Sequence, residues 1–278
     1  MPQTLTGPEL NAKLREILET WPLYRDFTYL GADEVDTLPQ TITLHCSACK
    51  HDQLWQRHDP TASDRGGFFH VQYQCKNCES RDTHFLLCWY GTRQHGRAFV
   101  KVGQYPALEE RIPLALEQAL KGDDLEFYRR ALRCRNFNFG IAALAYLRRV
   151  VENRMNDLLD LIAEAARQAG YDTEELKKLA DVKASRVFDN KVSYGATILP
   201  PSLRPGGANP IDLLHDLASE GLHRLSDAEC IDMFDRSRTI FEHVFIELKV
   251  KEQKDKTFAE ALSKLQRQKG SPGPDSPK

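Results

Sequence analysis

Two short stretches restrict what this chain can fold into more than anything else in it: CSAC at 46–49 and CKNC at 75–78. Each sets two thiols apart by two residues. A tight turn of that spacing presents two sulfurs to one ion, and two such turns facing each other complete a tetrahedral shell. Cys46 and Cys49 form one half, Cys75 and Cys78 the other. The chain has seven cysteines, an odd number. Its start, MPQTLTGPELNAKLREILET, lacks the basic residues and apolar run of a secretory signal. A disulfide framework is therefore not expected, and a metal site is.

The flanks of each pair read as strands. TITLH leads into the first turn and the alternating GFFHVQYQ into the second, while THFLLCWY and RAFVKV continue the pattern. The expectation is a β zinc ribbon over 41–105, with Zn2+ as a structural staple for a sheet too small to fold alone. Four sulfurs leave no open coordination position, so no chemistry is expected at the ion. The competing reading, redox thiols or small core residues, would suit a single pair better than two matched pairs between strands. His45, His51, His70 and His84 lie close enough in sequence to replace one sulfur. Cys88, Cys134 and Cys230 read as buried hydrophobes.

Outside the ribbon the period changes from two to that of helices. Residues 1–40 read as an N-terminal helix and linker, with TGPE offering a Thr6 cap, an early proline and a Glu9 that reaches back. Residues 106–269 read as a mainly α-helical bundle. PLALEQALKG and DDLEFYRRALRCRNF are its first helices; the next carries an apolar stripe at Ile141, Leu144, Val151, Met155, Leu158 and Ile162 and closes at Gly170. TEELKKLADVKAS is a further short helix, FDNKVSYGATILPPSLRPGGANP a long connection rich in proline and glycine, and PIDLLHDLASEGLH helical again. A capping box of Ser226 and Glu229 opens the last helix, whose stripe runs Ile231, Phe234, Phe241, Phe245 and Leu248. Residues 270–278, SPGPDSPK with the glycine before it, read as a disordered tail. The fold class expected is thus α+β, a zinc ribbon followed by a helical bundle.

Two arginines fall within the apolar stripes. Arg148 sits between Leu144 and Val151, with Glu152 one turn away; the expectation is a buried polar pair. Arg238 sits between Phe234 and Phe241, with Asp235 as the candidate partner. Tyr128 to Arg154 holds seven arginines against one acid, Glu152, and Arg129, Arg130, Arg133 and Arg149 are candidate phosphate contacts. The competing interpretation is a solvated helix face. A net charge of −2 excludes a protein that coats nucleic acid over its whole surface.

The segment YRRALRCRNFNFGIAALAYLRRVVENRMNDLL resembles a helical domain of unknown function found in some restriction endonuclease subunits and many bacterial proteins. In that domain a helix with an Arg-x-x-x-Glu pattern follows a glycine-containing turn, which Arg148 and Glu152 match. The domain is similar to the HEPN superfamily of helical bundles. That resemblance implies a bundle that pairs as a homodimer, a link to restriction or phage defence and, in one branch, metal-independent RNase activity from an arginine followed by a histidine. His223, in SEGLHRLSD, is nearest that position but has no arginine at the required distance before it; Arg238 and His243 satisfy the spacing inside the last helix. His215 and His223 could share a helix face.

The longest apolar runs, FLLCWYG and GIAALAYL, fall far short of the roughly twenty residues that span a bilayer. No phosphate-cradling glycine loop, nucleophile elbow or HExxH is present. The expectation is a cytoplasmic, non-enzymatic zinc-binding module that engages a protein or nucleic-acid partner; the alternative is a HEPN-type RNase with His223, Arg238 and His243 as catalytic candidates.

Overall fold

The computed structural model describes residues 3–31, 38–58, 67–92, 96–108, 111–120, 122–170, 173–199, 201, 204 and 225–269. The chain divides into two compact units, one of Met1–Arg111, Arg130–Ala143 and Ser226–Ile231, the other of Ile112–Arg129, Leu144–Leu225 and Asp232–Lys278.

The first unit overturns the expected small ribbon. Strands β1 (Gln3–Leu5), β2 (Phe27–Gly31), β3 (Thr41–Cys46), β4 (His51–Arg57), β5 (Gly67–Cys75), β6 (Asp82–Thr92) and β7 (Gly96–Tyr105) form one curled seven-stranded sheet in the order β1-β2-β7-β6-β5-β4-β3. Only β1 and β2 run parallel; the rest pair antiparallel. Two facts explain the larger sheet. First, the strands that carry the second cysteine turn do not stop at a hairpin tip: β5 has 9 residues and β6 has 11, long enough to serve as central strands. Second, the stretch expected as helix and linker contributes two strands, with Phe27 of β2 opposite Phe99 of β7. The class is mixed α/β, and the α+β division into ribbon and bundle is corrected accordingly.

Helix α1 (Gly7–Thr20) gives this sheet a core. Its capping box forms as the sequence requires: the Thr6 backbone N–H donates to Glu9 Oε2 at 2.9 Å and the Thr6 hydroxyl at 2.8 Å. The spacing of Leu10, Leu14, Ile17 and Leu18 puts all four on one side, and all are buried. They belong to one cluster with Tyr29, Ile42, Trp55, Val71, Tyr73, Phe85, Leu87, Trp89 and Phe99, the inward alternate residues of the strands. Buried polar tips are satisfied: Tyr73 Oη donates to the Pro39 carbonyl at 2.7 Å, and Trp55 Nε1 to the Leu44 carbonyl at 2.9 Å.

Lys101 also points into this core and is fully buried. Its Nζ donates to the Leu18 carbonyl at 3.3 Å and to Gln104 Oε1 at 3.0 Å, and lies 5.7 Å from the Phe85 ring centre. The Leu18 carbonyl is one of those left open at the end of α1, and Arg135 Nη1 reaches the Thr20 carbonyl at 2.7 Å. Two basic side chains thus donate to carbonyls at the end of one helix. Burial, with Arg135 adding repulsion, pulls the Lys101 ammonium down to about 7.

The ladder is uneven. Nine residue pairs join β6 to β7 and eight join β5 to β6, but three join β4 to β5: Trp55–Cys75, Gln56–Gln74 and Arg57–Tyr73. The hairpin of β3 and β4 is thus bound to the rest of the sheet by three pairs, as few as join β1 to β2 or β2 to β7.

The described helices after the sheet are α2 (Leu114–Ala119), α3 (Asp123–Asn136), α4 (Gly140–Gln168), α5 (Thr173–Lys177), α6 (Leu179–Ala184), α7 (Phe188–Ile198) and α8 (Asp227–Lys269). The stripe residues Leu144, Val151, Met155, Leu158 and Ile162 are buried, as are Ile231, Phe234, Phe241 and Phe245, whereas Ile141 is exposed. The Ser226–Glu229 capping box forms, with the Ser226 N–H and hydroxyl donating to Glu229 Oε2 at 2.8 and 2.7 Å. The long connection expected from 188 onward instead begins with α7, because its prolines start only at 200 and Val192 and Ile198 supply a buried side. The expected TEELKKLADVKAS helix is divided between α5 and α6. The expected helix containing His215 and His223, and the tail 270–278, lie outside the described residues. Among the described residues no helix is long and apolar enough to cross a membrane.

Candidate metal centre

The two cysteine turns have the same backbone construction. In the first, the Lys50 N–H donates to the Cys46 carbonyl at 2.8 Å; in the second, the Glu79 N–H donates to the Cys75 carbonyl at 3.0 Å. In both, the residue after the second cysteine adopts a left-handed conformation, with φ of 63° at Lys50 and 53° at Glu79. That turn of the chain directs both sulfurs of a pair to one side. The Lys76 N–H donates to the Leu54 carbonyl at 2.9 Å and ties the second turn to β4.

The four Sγ atoms lie within 4.8 Å of one another. Cys46 and Cys78 are 3.6 Å apart and Cys49 and Cys75 4.0 Å apart. Four thiolates held about 2.3 Å from one ion are separated by about 3.8 Å from each other, so the observed spacing fits a tetrahedral shell. Cys46 and Cys75 are buried members of the sheet core, and Cys49 and Cys78 pack against it at the rim.

Neighbouring groups complete the site. Asn77 Nδ2 donates to Cys49 Sγ at 3.2 Å, the kind of outer contact that orients a ligand. The Ser80 hydroxyl and N–H, both donating to the Cys78 sulfur, pull that thiol down to about 6. The Asn77 amide favours the Cys49 thiolate, but burial and the other three sulfurs outweigh it and push that thiol up to about 11. A metal ion takes sulfur ligands as thiolates, so binding at such a site is accompanied by proton release. Asn77 stands inside CKNC and was open to recognition; Ser80 lies just beyond it, where spacing gives no signal.

The histidines do not join this shell. His45 Nδ1 lies 3.6 Å from Asp52 Oδ1, and the His70 and His84 rings stack on one another at 5.2 Å between centres. Cys88 and Cys230 are buried, while Cys134 is half-buried.

The helical candidates resolve separately. Arg148 Nε meets Glu152 Oε1 at 2.7 Å, but both side chains are about a third exposed, at 32% and 38%. The expected burial of this pair is corrected: the pair sits at the rim of the stripe, with Leu147 and Val151 facing the core beside it. Arg238 meets Glu242 Oε1 at 2.9 Å, and Tyr128 Oη donates to the same carboxylate. Burial opposes the Arg238 charge, but Tyr128 and Glu242 outweigh it and keep the guanidinium charged; burial first and Glu242 second push the Tyr128 hydroxyl up. Tyr128 and Glu242 are 114 positions apart, a link that helical periodicity cannot reveal. His243 is exposed, on another side of α8 from the buried Phe241 and Phe245. His223 lies outside the described residues. Of the candidate phosphate contacts, Arg129 pairs with Glu117 at 2.7 Å and Arg149 lies over the Phe127 ring at 4.7 Å; Arg130 and Arg133 are exposed but also have partners.

Comparison with family models, curated proteins and solved structures finds no match to this chain. What is established is a mixed α/β protein whose curled sheet brings together four thiols able to hold a metal ion.

Proposed function

We propose that the chain is a non-enzymatic binding module, stabilised by one zinc ion on Cys46, Cys49, Cys75 and Cys78, that engages a protein partner. The closure of the sulfur shell carries this reading. Four ligands at tetrahedral spacing leave no position on the ion for substrate or water. The outer face of the sheet supports the second half: Leu54, Phe68, Leu86, Tyr90 and Tyr105 are all exposed there, opposite the face covered by α1. Large apolar side chains exposed together on a central sheet favour docking of another protein surface. Nucleic acid is less well supported, because Arg129 and Arg149 are engaged by Glu117 and Phe127. The RNase alternative has the least support: Arg238 is bound to Glu242 and His243 is exposed apart from the buried side of α8.

The test combines metal analysis with an activity control. Elemental analysis should find about one zinc per chain, lost in the Cys75→Ser/Cys78→Ser variant. Labelled RNA should survive incubation with the wild type. Cleavage that disappears in His243→Ala would replace the binding reading with the enzymatic one. Sedimentation of wild type against Phe68→Glu/Leu86→Glu distinguishes self-association through the outer face from docking of a different protein.

A further inference from the structure

The outer face of the sheet holds a second group of metal-ligating side chains that the four-sulfur centre does not use. His70 of β5 and His84 of β6 bring His70 Nε2 and His84 Nδ1 to 3.0 Å, with the rings 21° from parallel. The two ring nitrogens are joined by one hydrogen bond, and the accepting nitrogen offers a lone pair towards the other ring. Both rings project from the side of the sheet that faces away from α1, since His70 pairs with Leu86 and Gln72 with His84 across the same ladder.

Ligands about 2.1 Å from an ion and at right angles to one another are separated by about 3.0 Å, so the two nitrogens already have the spacing of adjacent positions around a square-planar or octahedral ion. Gln72 lies directly opposite His84 and two residues from His70 on the same face, where its amide oxygen is a candidate third ligand. The remaining positions are open to solvent, because His70 is exposed and His84 half-exposed. Eight ladder pairs hold the two strands, so the arrangement rests on a well-paired part of the sheet and not on a loop.

We propose that His70 and His84 form a two-imidazole chelate that binds a late first-row divalent ion, nickel or copper, at a site separate from the four cysteines. Paired imidazoles suit these ions, whereas magnesium and calcium select all-oxygen sites. Unlike the sulfur shell, this chelate has open positions, through which a bound ion can take a further ligand.

The test is titration of the full chain, first saturated with zinc, with Ni2+, followed by calorimetry and by absorption. The expected result is one further equivalent of nickel with weak ligand-field absorption only. His70→Ala and His84→Ala should each weaken that step at least tenfold, leave zinc content unchanged and keep the far-ultraviolet circular dichroism of the wild type. Three results would overturn the proposal: no nickel step in the wild type, a step of equal strength in both variants, or zinc release with an intense sulfur-to-nickel charge-transfer band. The last would place nickel on the cysteines.

Discussion

Replacing Gly140 by alanine tests whether the start of α4 lies against the start of α8 as closely as the structure has it. A Cβ added at Gly140 would stand 2.0 Å from the Asp227 carbonyl oxygen, 2.8 Å from its carbon and 3.0 Å from Cys230 Cβ. The first distance is more than an ångström inside ordinary contact, and the atoms struck are backbone, which cannot rotate away. The two helix starts must separate. That strains the Ile141 N–H to Asp227 Oδ1 bond of 3.0 Å, worth about 1 kcal/mol, and adds the roughly 1–3 kcal/mol typical of overpacking. Against this, alanine gains up to about 1 kcal/mol over glycine in a helix. The net expectation is a loss of about 2 kcal/mol, read as a fall in Tm of about 4–8 °C. Urea titration of Gly140→Ala measures it, with exposed Ala145→Gly in the same helix as a control for propensity alone. If Gly140→Ala is as stable as the wild type or more so, the two helix starts are not in contact and the assignment of both to one compact unit fails.

The remaining expectations concern single groups. Lys101 is protonated in the unfolded chain up to about pH 10.5 but in the fold only up to about 7. Between those values the unfolded state binds more protons, so stability should rise with pH by up to about 1.4 kcal/mol per unit. Chemical denaturation at several pH values should show this slope in the wild type and its loss in Lys101→Met. Tyr128→Phe removes the hydroxyl that donates to Glu242 and should cost about 1–2 kcal/mol, with less effect when Glu242→Gln is already present. Asn77→Ala should weaken zinc binding about tenfold in a competition assay with a chromophoric chelator. Chelation should remove hydrogen-exchange protection from β3 and β4 first, while β5–β7 keep theirs; simultaneous loss across the sheet would contradict the uneven ladder.

The cysteine turns were legible because their signal is local: spacing and flanking alternation are enough to place four sulfurs together. The same holds for the two capping boxes, where Glu9 and Glu229 stand three residues beyond the hydroxyl they accept from. The sheet was not legible, for reasons that also rest in particular residues. Strand β1 is only QTL and β2 only FTYLG, too short for alternation to show; β2 is recruited by distant pairing with β7, and β1 by parallel pairing with β2. The Glu242 that pairs with Arg238 is shared with Tyr128, which reaches it from α3 across 114 positions, a link no local pattern carries. The partner that lets Lys101 be buried is the Leu18 carbonyl, 83 positions away, which no local pattern reveals.

The position of the cysteines in the ladder gives the metal a job beyond stapling a small domain. Cys46 and Cys49 flank the link from β3 to β4, Cys75 and Cys78 the link from β5 to β6, and the three-pair seam runs between them. An ion held there would act as a latch on a flap: without it, only three residue pairs would keep the terminal hairpin over the hydrogen-bonding edge of β5, and an uncovered strand edge is a template for strand exchange between chains.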